Sequence, residues 1–300
     1  MTAIHAIGVD VGGTKAAAVR VDAAGVVAAR ATVETPADDV PALLTAMVEV
    51  ARRVAVPGLT AIGVGAAGLV ETGTGSVRYA PNIAWRDVDL VEVMRGFGVP
   101  VAVDNDCTTA TIGEHLAGAG RGVDAFLYVG VGTGIGGGIV SGGAVFRGAH
   151  GFAGEVGHIV VEPGGATCGC GNRGCWETVA SGSTLSRLGR DRLGPSADGP
   201  AVVRAARAGD AIALGILREV GTRLGEGIAG LVNVLDPQLV IVGGGAAAGA
   251  GELLLDPARE VLGREVEGAG CRPEIPLVAA ALGADGAAIG AGLWALAEAA

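Results

Sequence analysis

The sequence predicts an α/β protein of two lobes with mixed sheets, and three observations carry that prediction. Strand-like runs alternate with helix-period segments along the whole chain, a β-meander recurs at an offset of 120 residues, and 300 residues at 50% hydrophobic content suffice for two cores. The recurrence sets "AIGVDVGGTKAAAVRVDAAGVV" (6–27) against "FLYVGVGTGIGGGIVSGGAVF" (126–146), each reading strand, Gly/Thr turn, strand, small-residue turn, strand. Meanders are antiparallel whereas strand–helix–strand units are parallel, so both kinds of pairing are expected.

After the first meander, "VPALLTAMVEVARRV" places apolar residues at helical spacing, and "TAIGVGAAG" reads as a strand. The strand "VPVAVDND" then runs into the helix "CTTATIGEHLAG". Ala125 to Phe146 is uncharged for 22 residues, long enough for a membrane span, but eight of these are glycines. Each glycine costs a helix about 1 kcal/mol relative to alanine, so the stretch reads as two buried strands around a glycine turn. A cysteine-rich segment follows, then helical stretches between Pro200 and Val234, the strands "LVIVGGG" and "IPLVAA", and the terminal helix "DGAAIGAGLWALAEA".

The formal charge of -10 removes the basic field that non-specific nucleic-acid or anionic-membrane binding requires. An apolar stretch begins within two residues of Met1, which leaves no room for a secretory signal, and a cytoplasmic protein is expected.

"DVGGTK" joins two strands by a glycine turn suited to a phosphate, with Asp10 placed to hold Mg²⁺ or its waters and Thr14 to add a hydroxyl donor. An ordinary glycine hairpin is the plain alternative. Gly12 and Gly13 form the turn, and Lys15, the chain's only lysine, lies beside it. G-x-G-x-x-G occurs at Gly132, Gly134 and Gly137 and again at Gly63, Gly65 and Gly68. A dinucleotide fingerprint must open a helix, and both matches run into strand-and-turn sequence instead. "VDNDCTTATIGE" puts Asn105 and Asp106 where a strand meets a helix. Either residue suits a helix cap, and Asp106 also suits a general base at the carboxyl edge of a sheet.

"GHIVVEPGGATCGCGNRGCWE" (157–177) spaces His158, Cys168, Cys170 and Cys175 as a Cys₃His set, which predicts a closed, structural zinc site. Three clustered thiols in a reducing compartment argue against a disulfide.

"DVGGTK", "VGVGTGIGGG", "GEVGH" followed by "CGCGNRGCWE", and "LDPQLVIVGGG" resemble, in order and over essentially the whole chain, the ROK family of repressors and sugar kinases. The resemblance implies a two-lobed actin-like ATPase fold of the ribonuclease-H type with the active site in the cleft between lobes. It places residues 1–118 and a C-terminal helix at about 286–300 in the smaller lobe, and 119–285 with the zinc loop 157–177 in the larger. It implies a kinase phosphorylating glucose at O6, with ATP and Mg²⁺. Asp106 falls on the catalytic base. Asn105, Glu155, His158 and Glu177 fall on sugar-binding positions, and Asp10, Gly12, Gly13, Thr14, Lys15, Thr133 and Gly134 on the phosphate loops. Gly243, Gly244 and Gly245 lie on the adenosine side. The family usually forms homodimers or homotetramers.

The rival readings are a kinase for N-acetylmannosamine, N-acetylglucosamine, allose or fructose, polyphosphate as the donor, and a sugar-sensing regulator. The regulator is disfavoured because Asp106 and both glycine loops are present and the first meander starts at residue 4. Threonines in "NDCTTATIGE" depart from the alanines and asparagine common in the family, and bear on helix packing rather than on a ligand.

Overall fold

The computed structural model describes residues 5–71 and 73–300. The expected strand start at residue 4, and Thr72 of the "LVETGTGSV" turn, lie outside them. The chain divides into two compact units. The first takes the chain up to Val123 with Gly138–Gly154 and Ala284–Ala300, and the second takes Asp124–Gly137 and Glu155–Gly283.

From the N-terminal side come strands β1 (His5–Val11), β2 (Lys15–Asp22) and β3 (Val27–Glu34), helix α1 (Val40–Val54) and strand β4 (Ala61–Ala66). Three short strands follow, β5 (Leu69–Glu71), β6 (Ser76–Tyr79) and β7 (Arg86–Asp89), then α2 (Leu90–Met94), β8 (Val101–Asn105) and α3 (Asp106–Ala117). The five-stranded sheet has the order β3-β2-β1-β4-β8, antiparallel from β3 to β1 and parallel from β1 through β4 to β8. Every residue of β4 is buried, as a strand covered on both faces requires, while β3 alternates between half-buried and exposed as an edge strand does.

Helix α1 forms where the sequence predicts it. The Asp39 carboxylate caps it by accepting the Ala42 N–H, and a proline occupies the first turn, where its missing donor costs nothing. Leu43, Met47, Val50, Ala51 and Val54 make its buried face. The larger of these side chains each contribute about 1.5–3 kcal/mol on burial.

The remaining elements are β9 (Phe126–Val131), β10 (Ile135–Ser141), β11 (Ala144–Val145), α4 (Glu177–Ala180), α5 (Gly182–Leu193), α6 (Gly199–Arg207) and α7 (Ala211–Leu235). Then come β12 (Leu239–Gly243), α8 (Gly245–Ala250), α9 (Glu252–Glu265), β13 (Leu277–Ala279) and α10 (Gly286–Glu298). A second five-stranded sheet has the order β11-β10-β9-β12-β13, which repeats the first strand for strand. The 120-residue offset carries β1 onto β9 and β2 onto β10. It fades at the third strand, eight residues long in β3 and two in β11. The uncharged stretch is therefore β9, its turn, and the strands after it. Among the described residues no helix is long and apolar enough to cross a membrane.

Helix α10 packs on β1, β2, β4 and α3. The approach is backbone to backbone: a Cβ on Gly63 would stand 1.8 Å from the Ala291 carbonyl oxygen. At Gly65 a Cβ would stand 2.4 Å from Thr109 Oγ1. Close packing of helices on the sheet, rather than a nucleotide, thus accounts for those two glycines of the second G-x-G-x-x-G match. Thr109 and Thr111 of α3 are buried and satisfied within the helix: Thr109 Oγ1 donates to the Asp106 carbonyl at 2.8 Å and Thr111 Oγ1 to the Cys107 carbonyl at 2.7 Å.

Candidate active site and metal centre

In the first unit, the parallel register runs from Asp10 to Gly65 to Asp104, so the ends of β1 and β8 flank the end of β4. Asp10 closes on Asp106, the first residue of α3, across this carboxyl edge. Burial, then the nearby Asp106 charge, pushes the Asp10 carboxyl up to about 7, against the pull of Lys15. Asp285, just ahead of α10, pushes in the same direction. Burial likewise raises Asp106, opposed by the backbone N–H of Cys107, which donates to Asp106 Oδ1 at 2.8 Å. A site that desolvates two carboxylates and brings them within range of one another suits a divalent cation and a proton acceptor.

Asn105 is the cap. Its Oδ1 accepts from the N–H groups of Cys107 and Thr108 at 2.8 and 3.1 Å, and its Nδ2 donates to the Gly68 carbonyl at 3.1 Å. Capping by Asn105 leaves Asp106 on the first turn, where the helix N-terminus favours the ionised form. The turn of Gly12, Gly13 and Thr14 is held by Thr35, whose hydroxyl donates to the Gly12 carbonyl at 2.9 Å and whose N–H donates to the Thr14 carbonyl at 3.2 Å. Thr14 and Lys15 are exposed at its tip.

In the second unit, the ligand atoms of His158, Cys168, Cys170 and Cys175 all lie within 4.8 Å of one another. Cys170 and Cys175 sulfurs are 3.7 Å apart, and Cys168 Sγ is 3.5 Å from His158 Nδ1. Tetrahedral ligands at ordinary zinc bond lengths would be separated by about 3.8 Å for S to S and about 3.6 Å for S to N, so the set fits a tetrahedral metal ion. The loop is shaped by backbone bonds from Cys168 N–H to the Asn172 carbonyl and from Gly174 N–H to the Ala166 carbonyl, both 2.8 Å. It is anchored by the fully buried Trp176, whose Nε1–H donates to the Arg223 carbonyl of α7 at 2.9 Å.

His158 turns Nδ1 to the thiols and Nε2 toward Glu155, 3.8 Å from its carboxylate. Glu177 Oε1 accepts from the Cys168 thiol at 2.9 Å, and its Oε2 lies 3.4 Å from the Ile135 N–H. A Cβ on Gly134 would stand 2.3 Å from Glu177 Oε2, so a side chain there would displace that carboxylate. The turn carrying Thr133 and Gly134 is held by the start of α5, where Gly182 and Ser183 N–H groups donate to the Gly132 and Thr133 carbonyls at 2.8 and 3.2 Å. Gly243 pairs with Gly130 between β12 and β9, Gly244 is the N-cap of α8, and Gly245 is its first residue.

The structure thus assembles Asp10, Asn105, Asp106 and the first glycine turn in one unit, and Glu155, His158, Glu177, the cysteines and the other glycine turns in the other. Sequence reasoning missed Thr35 and Asp285. Neither carries a local signal, since each acts on a residue distant in the chain.

Twin sheets of identical strand order, one edged by a carboxylate pair beside a glycine turn, define an actin-like ATPase fold. The chain belongs to the ROK family, whose model matches residues 6–298. It is 38% identical to the glucokinase of Streptomyces coelicolor over 95% of each chain. Among solved structures it is similar to a ROK family glucokinase from Streptomyces griseus in complex with glucose and AMPPNP. That match has 39% identity and a TM-score of 0.91, and covers 98% of this chain and 99% of the other. A ROK hexokinase from Thermus thermophilus matches at 35% identity and TM-score 0.81 over 98% and 99%.

Proposed function

We propose that the protein is a glucokinase that transfers the γ-phosphoryl group of ATP to O6 of glucose. The observation that carries this reading is the desolvated Asp106 at the head of α3, beside Asp10 and the first glycine turn. The Streptomyces relatives, similar over nearly their whole length, support the choice of glucose and ATP.

In this mechanism Asp106 accepts the proton of the sugar 6-hydroxyl as that oxygen attacks phosphorus. Asp10 holds the cation, and Thr14, Lys15 and the backbone of both glycine turns hold the phosphates. Mg²⁺ held there by Asp10 would supply charge neutralisation to the transferring phosphoryl group. Glu155, Glu177 and His158 Nε2, the ring nitrogen turned away from the thiols, orient the sugar, with Asn105 contributing its remaining amide proton. Gly243, Gly244 and Gly245 line the adenosine side. The Cys₃His set is assigned to zinc, which in a closed four-ligand site supplies folding energy and fixes the His158 ring. We expect a cytoplasmic homodimer or homotetramer, which sedimentation velocity will read.

The test is ADP release in a coupled assay across glucose, fructose, allose, N-acetylglucosamine and N-acetylmannosamine. Glucose should give the highest kcat/KM, and a clear preference for another sugar refutes the assignment of substrate. Asp106→Asn should lower kcat by about 10²–10⁴-fold while glucose affinity is mostly kept. Near-wild-type turnover in that variant excludes Asp106 as the base.

A further inference from the structure

We propose that Arg147 is a positioning residue for the Asn105–Asp106 turn, acting through the carboxylate of Asp104, an inference that rests on the reading of Asp106 as the base.

Asp104 is 4% exposed, near the end of β8, and both of its oxygens are engaged. Oδ2 accepts from Arg147 Nε at 2.7 Å, and Oδ1 accepts from the Asn105 N–H at 2.8 Å. The first bond reaches 43 residues along the chain, and the second reaches the next peptide. Arg147 is itself fixed twice. Its guanidinium lies over the Trp294 ring of α10, 5.1 Å from the centroid, and its carbonyl accepts the Ala153 N–H at 3.1 Å, closing a loop ahead of Glu155.

A buried ion pair kept only for stability would need Oδ2 alone. Here the other oxygen fixes the peptide of Asn105, the residue whose side chain caps α3 and sets where Asp106 begins the helix. On the β4 side, the register partner of Asp104 is Gly65, which offers no side chain to brace it. Lateral support for the strand end comes from Arg147 instead. Burial pushes the Asp104 carboxyl up and the guanidinium draws it back, so loss of Arg147 leaves a buried carboxylate without its countercharge. An ångström of drift in a reacting group can cost about 10²-fold in rate, so this brace matters even at constant stability.

The experiment measures kcat, KM for each substrate, and Tm for wild type, Arg147→Met, Arg147→Lys and the double variant Asp104→Asn/Arg147→Met. Arg147→Met should lower kcat about 10- to 100-fold with little change in KM for ATP. Arg147→Lys, which keeps the charge but not the flat stack on Trp294, should recover part of the loss. The double variant removes the orphaned charge while asparagine keeps the acceptor for the Asn105 N–H. Its Tm should return toward wild type while kcat stays low. Recovery of kcat together with Tm means a stabilising pair only and overturns the proposal, as does wild-type kcat in Arg147→Met. If Arg147→Met does not fold, the double variant decides alone. Should wild type phosphorylate no hexose, the glucokinase reading fails separately. Amide exchange at residues 104–108 in Arg147→Lys then decides the brace: faster exchange supports it and unchanged protection overturns it.

Discussion

Asp10 binds its proton more tightly in the folded chain than in the unfolded one, because its carboxyl rises from 3.8 to about 7. Its contribution to stability is therefore complete below about pH 4 and is lost as pH rises through about 7. At pH 8 the ionised, desolvated carboxylate opposes folding by an amount of order 1–4 kcal/mol. Asp10→Asn should accordingly raise Tm at pH 8, leave it nearly unchanged near pH 4, and abolish turnover; equal Tm values at pH 8 would contradict the burial argument. At this scale the sequence was legible wherever partners are close along the chain. The Cys₃His spacing and the Asn-Asp pair are of that kind. Partners that meet only through the fold, such as Arg147 with Asp104 or Asp285 with Asp10, leave no spacing to read.

Among the elements, α1, β4, β8, α3, β12 and α10 each lie where the sequence places them. Helix α9 escaped because Pro257 sits inside it and interrupts the expected pattern. The strands β5, β6 and β7 are too short for a period to declare itself. Strand order is not legible at all from one segment, since it is set by which faces meet. Glycine content reported that meeting indirectly: α10 needs bare backbone beneath it at Gly8 and Gly63. Gly63→Ala should destabilise the protein by about 1–3 kcal/mol in urea unfolding, because the nearest atom is a backbone oxygen that cannot turn aside. A loss below a few tenths would mean that α10 lifts away freely.

For the whole molecule, all four residues proposed to hold zinc lie in the second unit. Structural zinc sites bind with about 10–16 kcal/mol of apparent free energy, comparable to the stability of an entire domain. Chelation should therefore split calorimetric unfolding into two transitions, the earlier one belonging to the second unit. Cys170→Ser should do the same while zinc content falls below one per chain. A single unshifted transition in the metal-free protein would refute this. The division of the chain also bears on its birth at the ribosome. A nascent chain ordinarily folds from its N-terminal end, yet the first unit includes Ala284–Ala300, whose helix covers β1 and β4. Until those last residues emerge, that face of the earliest sheet is uncovered, and the unit begun second is the first to have all of its residues translated.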